Sequence, residues 1–469
     1  KGIKRNAEGL AGPNLRQPRR DMTSHNHGRH HDSGHEPVHS HGHGHAQEDM
    51  LSVEQAYERV IASFRTLEAE EKPVLECMGQ VLAEDINSPL ALPPLANSGM
   101  DGYALRHSDI AGASQENPSN LEVIGIVAAG QMPDKTVVPG TAIRIMTGAP
   151  VPDGADTVVP FEETDEVQRK REGKPLDQVA IYADMPPGCN VRPAGEDVSK
   201  GALVLEKGTV VRAAEVGVIA SLGMDTVKVI RRPVVAVLAT GDELEETGTP
   251  LSGGKIYDSN TFSVAASVVA SGGVPKILGI ARDNLEDLNI KLEATAGADL
   301  VVTSAGVSKG DYDIVKEVLN ERGEMNFWSV RMRPAKPLAF GHLNGSGGKN
   351  IPLLGLPGNP VSAMVAFEMF ARPAIRTMLG RTKIPRPMVD GVLTGPIRNE
   401  DGRRVYARVE VELKDGVYQA TPTGPQGSNI LTSMSRANGL AICPEDLSGK
   451  DAGEQVQIIM LDWNEEVQV

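Results

Sequence analysis

DLVVTSAGVSKGDYD, residues 299–313, is the stretch on which the reading of the chain turns. A short apolar run from Leu300 gives way to small residues, then to glycines, then to Asp311 and Asp313. That order describes a buried strand delivering a polar, carboxylate-bearing loop to its C-terminal end, where open α/β sheets bind ligands. Such a loop suits a phosphorylated ligand held with a divalent cation. The neighbouring sequence repeats the pattern. PVVAVLAT (233–240) runs into Gly241-Asp242-Glu243-Leu244, and KILGIA (276–281) runs into Arg282-Asp283-Asn284. Helices are expected over about 261–271 and 285–295. Downstream, IVKEVLNERG (314–323) reads as a helix, FWSVRMRP (327–334) and PLAFGHL (337–343) as strands, and IPLLGLPGNP (351–360) as a strand entering a helix. This βαβ alternation indicates a doubly wound domain with a mostly parallel sheet over 229–382.

The flanks read differently. Ser52 and Gln55 fit a capping box, and Val53, Tyr57, Val60, Ile61, Phe64 and Leu67 recur at helical spacing. A second short helix is expected over 74–82. From Leu121 to Ile181 the pattern is β, with LEVIGIVAAG, TAIRIMTGAP, DTVVPFEE and VAIYAD separated by Pro/Gly turns. AAEVGVIASLG (213–223) then returns to helix. The expectation is a helical N-terminal domain of 50–96 plus 194–228, with a β domain of 97–193 inserted into it. After Pro385 the pattern is β again, giving a C-terminal β domain over 383–469. The fold class is therefore multidomain α/β plus β. Residues 25–45 hold nine of the eleven histidines among Gly, Ser, Asn and Asp. The stretch 1–49 reads as a disordered His-rich tail with incidental metal affinity. Met22 looks like a natural initiator, so residues 1–21 need not be native.

At 469 residues the chain suggests about three domains, and no apolar run approaches the roughly 18 residues of a membrane span. Its net charge of -15 argues against a general nucleic-acid or membrane-surface binder. An anionic ligand would need a local basic pocket. Cys77, Cys189 and Cys443 show neither metal-ligand spacing nor a paired framework, which fits a reducing cytoplasm.

In a parallel sheet the C-terminal loops share one rim. Four strand ends here carry polar chemistry: Asp242/Glu243, Asp283, Ser308 with Asp311 and Asp313, and Gly355-Leu356-Pro357-Gly358-Asn359-Pro360. Acidic rim loops are ordinary singly, but several on one rim repel unless a cation such as Mg²⁺ sits among them. The Gly358/Asn359 loop enters a helix whose first turn holds Ser362, which suits an anion or is plain helix-start chemistry. Arg333 and Lys336 in Arg333-Pro334-Ala335-Lys336-Pro337 suggest anion binding, with rim ion pairs as the alternative. Asp101 in NSGMDGYA reads as a turn acceptor, and Thr147 as a capped strand end. Arg408 and Ser428 are candidates from the last domain, each with a structural alternative. There is no P-loop and no nucleophile–base pair of recognisable spacing.

NSGMDGYA, RIMTGAPVPDGAD, AGEDV, ATGDEL, IYDSN, ARDN, GVSKGDYD, MRPAKPLAFG, GLPGNPVSA and GPQGSN, in that order from about Met50 to the C-terminus, resemble the molybdopterin molybdotransferase family. These are the MoeA-type molybdenum insertases, including the gephyrin E domain. The resemblance implies a cytoplasmic homodimer that takes adenylylated molybdopterin and molybdate as substrates, with Mg²⁺, and releases AMP. It implies catalytic or metal roles for Asp283, Asp313 and Glu243, and for Asp101 and Thr147 from the partner subunit. It implies ligand contacts for Gly306, Ser308, Asp311, Gly358, Asn359, Ser362, Arg333, Lys336, Arg408 and Ser428. Implied partners are a molybdopterin adenylyltransferase and recipient molybdoenzymes, with neither nucleic acid nor membrane. Rival readings are a molybdopterin adenylyltransferase itself, or a gephyrin-like peptide-binding scaffold. The sequence departs from the family at Ala305 and Ala335, where glycine is common, at Ser329, which replaces a basic residue of some members, and at Gly99.

Overall fold

In the parallel sheet, alternate side chains of the same strand are buried on opposite faces. The computed structural model describes residues 50–305, 321, 323–344 and 350–464. Gly306, Ser308, Asp311, Asp313, the His-rich tail and nearly all of the expected helix 314–323 lie outside the described residues.

Helix α1 (Val53–Ile61) starts where the capping box requires. The Ser52 hydroxyl accepts from Gln55 N–H at 3.1 Å, and the Gln55 side-chain oxygen accepts from Ser52 N–H at 3.0 Å. Strand β1 (Ala69–Pro73) follows. The expected helix over 74–82 does not form. A single 3₁₀ turn, Val74–Cys77, is all that appears. Pro73 stands before it, and Gly79 at φ +77° turns the chain left-handed just after it.

The next domain is a five-stranded sheet built from β2 (Gly102–Leu105), β3 (Ser119–Val127), β4 (Thr141–Ile145), β5 (Thr157–Pro160) and β6 (Gln178–Ile181). Its order is β5-β2-β4-β3-β6. Helix α2 (Glu166–Arg171) lies between β5 and β6. Gly102 is demanded by the closeness of β5, since a Cβ there would stand 2.0 Å from the Val159 carbonyl oxygen. Helix α3 (Ala213–Ser221) and strand β7 (Thr226–Ile230) then return the chain to β1, with which β7 pairs antiparallel. The β domain is thus an insertion.

The α/β domain comprises β8 (Val234–Thr240), α4 (Asn260–Ala270), β9 (Val274–Ala281), α5 (Leu285–Glu293), β10 (Leu300–Ser304), β11 (Gly323–Ser329), β12 (Pro337–Asn344) and β13 (Asn350–Leu356). A helical run follows, with α6 (Pro360–Ala366), a π turn Phe367–Ala371, and α7 (Arg372–Met378). The sheet order is β9-β8-β10-β13-β12-β11. The first four strands are mutually parallel, and β12 and β11 add an antiparallel edge. Val235, Val237, Leu300, Val302 and Leu354 point to one face, while Ala236, Leu238, Val301 and Leu353 point to the other with Leu288 and Leu292 of α5. Val53, Ala56 and Val60 of α1 join the first of these faces. Helix α1 therefore packs on the α/β layer, not on the core that Val74, Ile219 and Val229 share. Its apolar stripe needs a broad partner, and the helical face of the sheet supplies one.

The last domain holds β14 (Met388–Leu393), β15 (Arg404–Lys414), β16 (Val417–Pro422), α8 (Thr432–Arg436), β17 (Gly439–Cys443) and β18 (Gln455–Met460). The order β15-β16-β14-β18-β17 closes through pairing of β17 with β15, which makes a five-stranded barrel. Its apolar interior includes Val409, Ala420, Ala441 and Ile458.

At the opposite end of the sheet from these C-terminal loops, Arg231 clamps the start of β8. Its Nη1 and Nη2 donate to the two Asp299 carboxylate oxygens at 2.6 and 2.7 Å, and Val234 N–H donates to the same carboxylate at 2.9 Å. Asp299 is buried. Removing Asp299 leaves Arg231 with its exposed carboxylate partner Glu68, at 2.5 Å, and leaves Val234 N–H without its acceptor. Asp299→Ala is expected to lower unfolding free energy by roughly 2–3 kcal/mol, since Arg231 keeps some solvent contact. Urea denaturation checks this, and an unmoved midpoint would contradict it.

Candidate functional site

Register places the polar loops together. Thr240 on β8 pairs with Ala281 on β9, and Ser304 on β10 pairs with Leu356 on β13. The loops at 241–243, 282–284 and 357–359, and the chain at Ala305, therefore leave one rim. A cleft of about 620 Å³ opens there, lined by Thr240, Glu243, Asp258, Asn260, Ser304, Ala305, Gly358 and Asn359, with Asn429 and Leu431 from the barrel domain. The barrel loop is tied to the helix start by Val361 N–H donating to the Ser428 carbonyl at 3.0 Å.

Glu243 folds back over Gly241, where φ is +145° and a Cβ would stand 2.4 Å from the Glu243 carboxylate. Asp283 lies at the next strand end, its N–H donating to Asp242 Oδ1 at 3.2 Å. Asp283 itself is exposed and does not line the cleft. Exposed, hard carboxylate donors at two paired strand ends suit Mg²⁺ in kind. Among the described residues no three acidic, His or Cys side chains gather as a metal site. Asp313, the third expected ligand, lies outside them.

Ala305 and Ala335 sit at φ +79° and +74°, left-handed backbone that an alanine holds at a cost of about 1–2 kcal/mol. These are two of the positions where the resembled family commonly has glycine. Ser362 is buried in the first turn of α6, beside the Val361–Ser428 link. Lys336 is exposed, and Arg333 is half-buried. Arg333 and Arg408 line a second, smaller cavity of about 180 Å³ with Arg398, Tyr406 and Gln426.

Arg408 is only 1% exposed, and its guanidinium is engaged throughout. Nε donates to Ser433 Oγ at 3.0 Å, Nη1 to the Gln426 carbonyl at 3.2 Å, and Nη2 to the Gly427 carbonyl at 2.9 Å. Burial, aided by nearby Arg333, pushes its pKa down to about 10. Arg408 thus braces the Gly424–Asn429 loop that reaches the cleft.

Asp101 and Thr147 meet each other but do not line the cleft of their own chain. Asp101 Oδ1 accepts from Thr147 N–H at 2.7 Å and from the Thr147 hydroxyl at 2.8 Å. Both residues are exposed. The two donors hold the Asp101 carboxyl below its usual range.

Asp258, Asn260, Thr240 and Ser304 line the cleft although sequence reading gave them no role. Asn260 Nδ2 donates to the Gly358 carbonyl at 2.7 Å, while its Oδ1 is buried with no hydrogen-bond partner among the described residues. Buried Asp258 accepts from Thr261 N–H at 3.0 Å at the start of α4. For Asp258 and Asn260 the signal available was their place in IYDSN (256–260), at the start of a helix, and for Thr240 and Ser304 it was their place at strand ends.

Comparison with known proteins covers most of the chain. The family model described as "MoeA N-terminal region (domain I and II)" matches residues 51–223. "Probable molybdopterin binding domain" matches 236–377, and "MoeA C-terminal region (domain IV)" matches 390–461. Molybdopterin molybdenumtransferase 2 of Mycobacterium tuberculosis (strain H37Rv) is 39% identical over 417 residues, 87% of this chain and 99% of that protein. Molybdopterin molybdenumtransferase of Bacillus subtilis (strain 168) is 34% identical over 413 residues, 88% of this chain and 94% of that protein. A molybdopterin biosynthesis moea protein from Pyrococcus horikosii has a solved structure with a TM-score of 0.74 at 32% identity, covering 88% of this chain and 100% of that one.

The Asp101–Thr147 contact generates a titration test. Both donors favour the carboxylate, so the pair is complete above the lowered midpoint and is lost as pH falls through it. Thr147→Val removes the hydroxyl and keeps the amide. The Asp101 midpoint, read by carbon-13 NMR of the carboxyl, is expected to rise toward the ordinary aspartate value. An unchanged midpoint would contradict the bonding.

Proposed function

The chain belongs to the molybdopterin molybdenumtransferase family, an enzyme family of molybdenum cofactor biosynthesis, and we propose that it inserts molybdenum from molybdate into adenylylated molybdopterin, with Mg²⁺, releasing AMP. The observation that carries this reading is the cleft at the C-terminal rim of the parallel sheet, where the barrel loop meets the helix start. It joins backbone amides and hydroxyls suited to phosphate with carboxylates suited to a cation.

Glu243, Asp283 and Asp313 would hold Mg²⁺, which supplies charge neutralisation at the phosphoanhydride. Gly358 and Asn359, which line the cleft, would contact the pterin nucleotide, and the family resemblance gives the same role to Gly306, Ser308 and Asp311. Arg333, Lys336, Ser362 and Ser428 hold the tetrahedral molybdate dianion, for which guanidinium, ammonium and hydroxyl donors are matched. Arg408, whose donors are already used on carbonyls, serves by setting the loop that carries Ser428. The contribution of the chain is mainly positioning and charge placement: a molybdate oxygen attacks the adenylyl phosphorus, the phosphoanhydride bond breaks to leave the pterin phosphate, and that oxygen departs with AMP as the dithiolene sulfurs replace it on molybdenum.

The exposed Asp101–Thr147 pair is read as completing the cleft of a second subunit in a homodimer. A molybdopterin adenylyltransferase would supply the substrate, and apo-molybdoenzymes would receive the product. No helix among the described residues is long and apolar enough to cross a membrane. The free thiols at Cys77, Cys189 and Cys443 suit the cytoplasm, where the pathway reading places the enzyme.

The test is incubation of purified protein with adenylylated molybdopterin, molybdate and Mg²⁺, with AMP followed chromatographically and cofactor followed by reconstitution of an apo-molybdoenzyme. AMP and active cofactor are expected together. Asp283→Asn and Glu243→Gln should each slow AMP release by about 100-fold or more. No AMP from the unaltered protein would contradict the reading.

A further inference from the structure

Behind Asp101 and Thr147 lies an ion pair that the functional reading leaves unused. Arg144 on β4 is the cross-strand partner of Tyr103 on β2. Its side chain is buried, with the guanidinium 5.4 Å from the Tyr103 ring centroid and 5.6 Å from that of Phe161. Nη1 donates to the Gly102 carbonyl at 3.1 Å and to the Ile145 carbonyl at 2.9 Å. Nε lies 2.6 Å from Glu166 Oε2, and Nη2 donates to Glu166 Oε1 at 3.1 Å. Glu166, in the first turn of α2, is 1% exposed and also pairs with Lys170 at 2.5 Å.

The cation thereby ties three segments. Gly102 follows Asp101, Ile145 stands two residues before Thr147, and Glu166 anchors the far side. The Asp101 carbonyl accepts from Phe161 N–H at 3.2 Å, and the ring of Phe161 packs on the same guanidinium. The two peptide units that follow the Asp101 Cα, 101–102 and 102–103, are thus both held, because fixing a peptide carbonyl fixes the plane of its peptide unit. Gly102 cannot escape by substitution, since any Cβ meets the Val159 carbonyl.

We infer that Arg144 and Glu166 are positioning residues, a buried clamp that holds the Asp101–Thr147 pair in the geometry it presents to the cleft of the partner subunit. The clamp rests on the reading that this pair acts in molybdenum insertion. A buried ion pair is a poor stabiliser compared with an apolar substitute of the same volume. Its advantage is direction. An arginine fork can satisfy two carbonyls and a carboxylate at once in one plane, which neither lysine nor an apolar side chain can do.

The experiment uses the whole chain with four variants and two readouts. Glu166→Gln removes the counter-charge. The double variant Arg144→Met with Glu166→Leu removes the whole clamp while leaving no unpaired buried charge, so it keeps the fold where the single variant fails. The expected result is a fall in kcat of about 10- to 100-fold with KM for adenylylated molybdopterin changed by less than about threefold. The Asp101 carboxyl midpoint, read by NMR, should move up at the same time. Adding Glu166→Asp, which keeps the charge, should restore part of kcat relative to Glu166→Gln. A folded double variant with unchanged kcat and an unmoved Asp101 midpoint would overturn the clamp. Unchanged turnover in Asp101→Ala would instead remove the reading on which the clamp rests, and the two failures are separate.

Discussion

The site depends on one constraint, that β8, β9, β10 and β13 run the same way. Parallel strands cannot be joined by tight turns, so each must be followed by a crossover, and the loops at their C-terminal ends share one rim. Register then decides which residues meet. Thr240 beside Ala281 and Ser304 beside Leu356 bring Glu243, Ala305 and Gly358 to one cleft from segments far apart in sequence. The buried apolar faces of the same strands make the register costly to slip, because a shift by one residue would turn Val235, Val237 and their neighbours to the wrong side.

The second requirement is electrostatic. A chain of net charge -15 must create a local place for anions. In the proposed site this falls to the backbone amides of Gly358 and Asn359 at the helix start, while Arg333 lines the separate, smaller cavity and Lys336 is exposed. Arg408 adds a buried cation that faces carbonyls instead of a carboxylate. Its role is to shape the Gly424–Asn429 loop, which carries Ser428 and Asn429 to the cleft. The carboxylates Glu243 and Asp283 stay exposed on the rim, where a hard cation can reach them. The inserted β domain places a buried cation at the other half of the proposed site too, but there Arg144 bridges carbonyls beneath Asp101 while paired with the Glu166 carboxylate.

Much of the fold was legible in the sequence because its signals were local. PVVAVLAT, KILGIA and DLVVTS are β-branched apolar runs followed by small or polar residues, and Ser52 with Gln55 announces α1. The helix expected over 74–82 failed because Pro73 and the left-handed Gly79 leave room for one turn only. The partner of α1 was not legible either, since its stripe could have packed on either core. At the site, Glu243, Gly358 and Asn359 were found as strand-end chemistry. Asp258 and Asn260 were passed over because the bond from Asn260 to Gly358 spans 98 positions. The bracing role of Arg408 depends on carbonyls 18 and 19 residues away, which no side-chain pattern announces.

The central claim is that the rim cleft of one chain and the Asp101–Thr147 pair of another make a single working site. Subunit complementation tests it most directly. Asp101→Ala and Glu243→Ala chains, each inactive alone, are mixed, dissociated and reassembled, and AMP release is measured. A shared site predicts recovery to about one quarter of the activity of the unaltered protein, because half the dimers are mixed and each holds one intact site. If each site is built within one chain, every site carries a lesion, and the mixture stays inactive; that result would contradict the account.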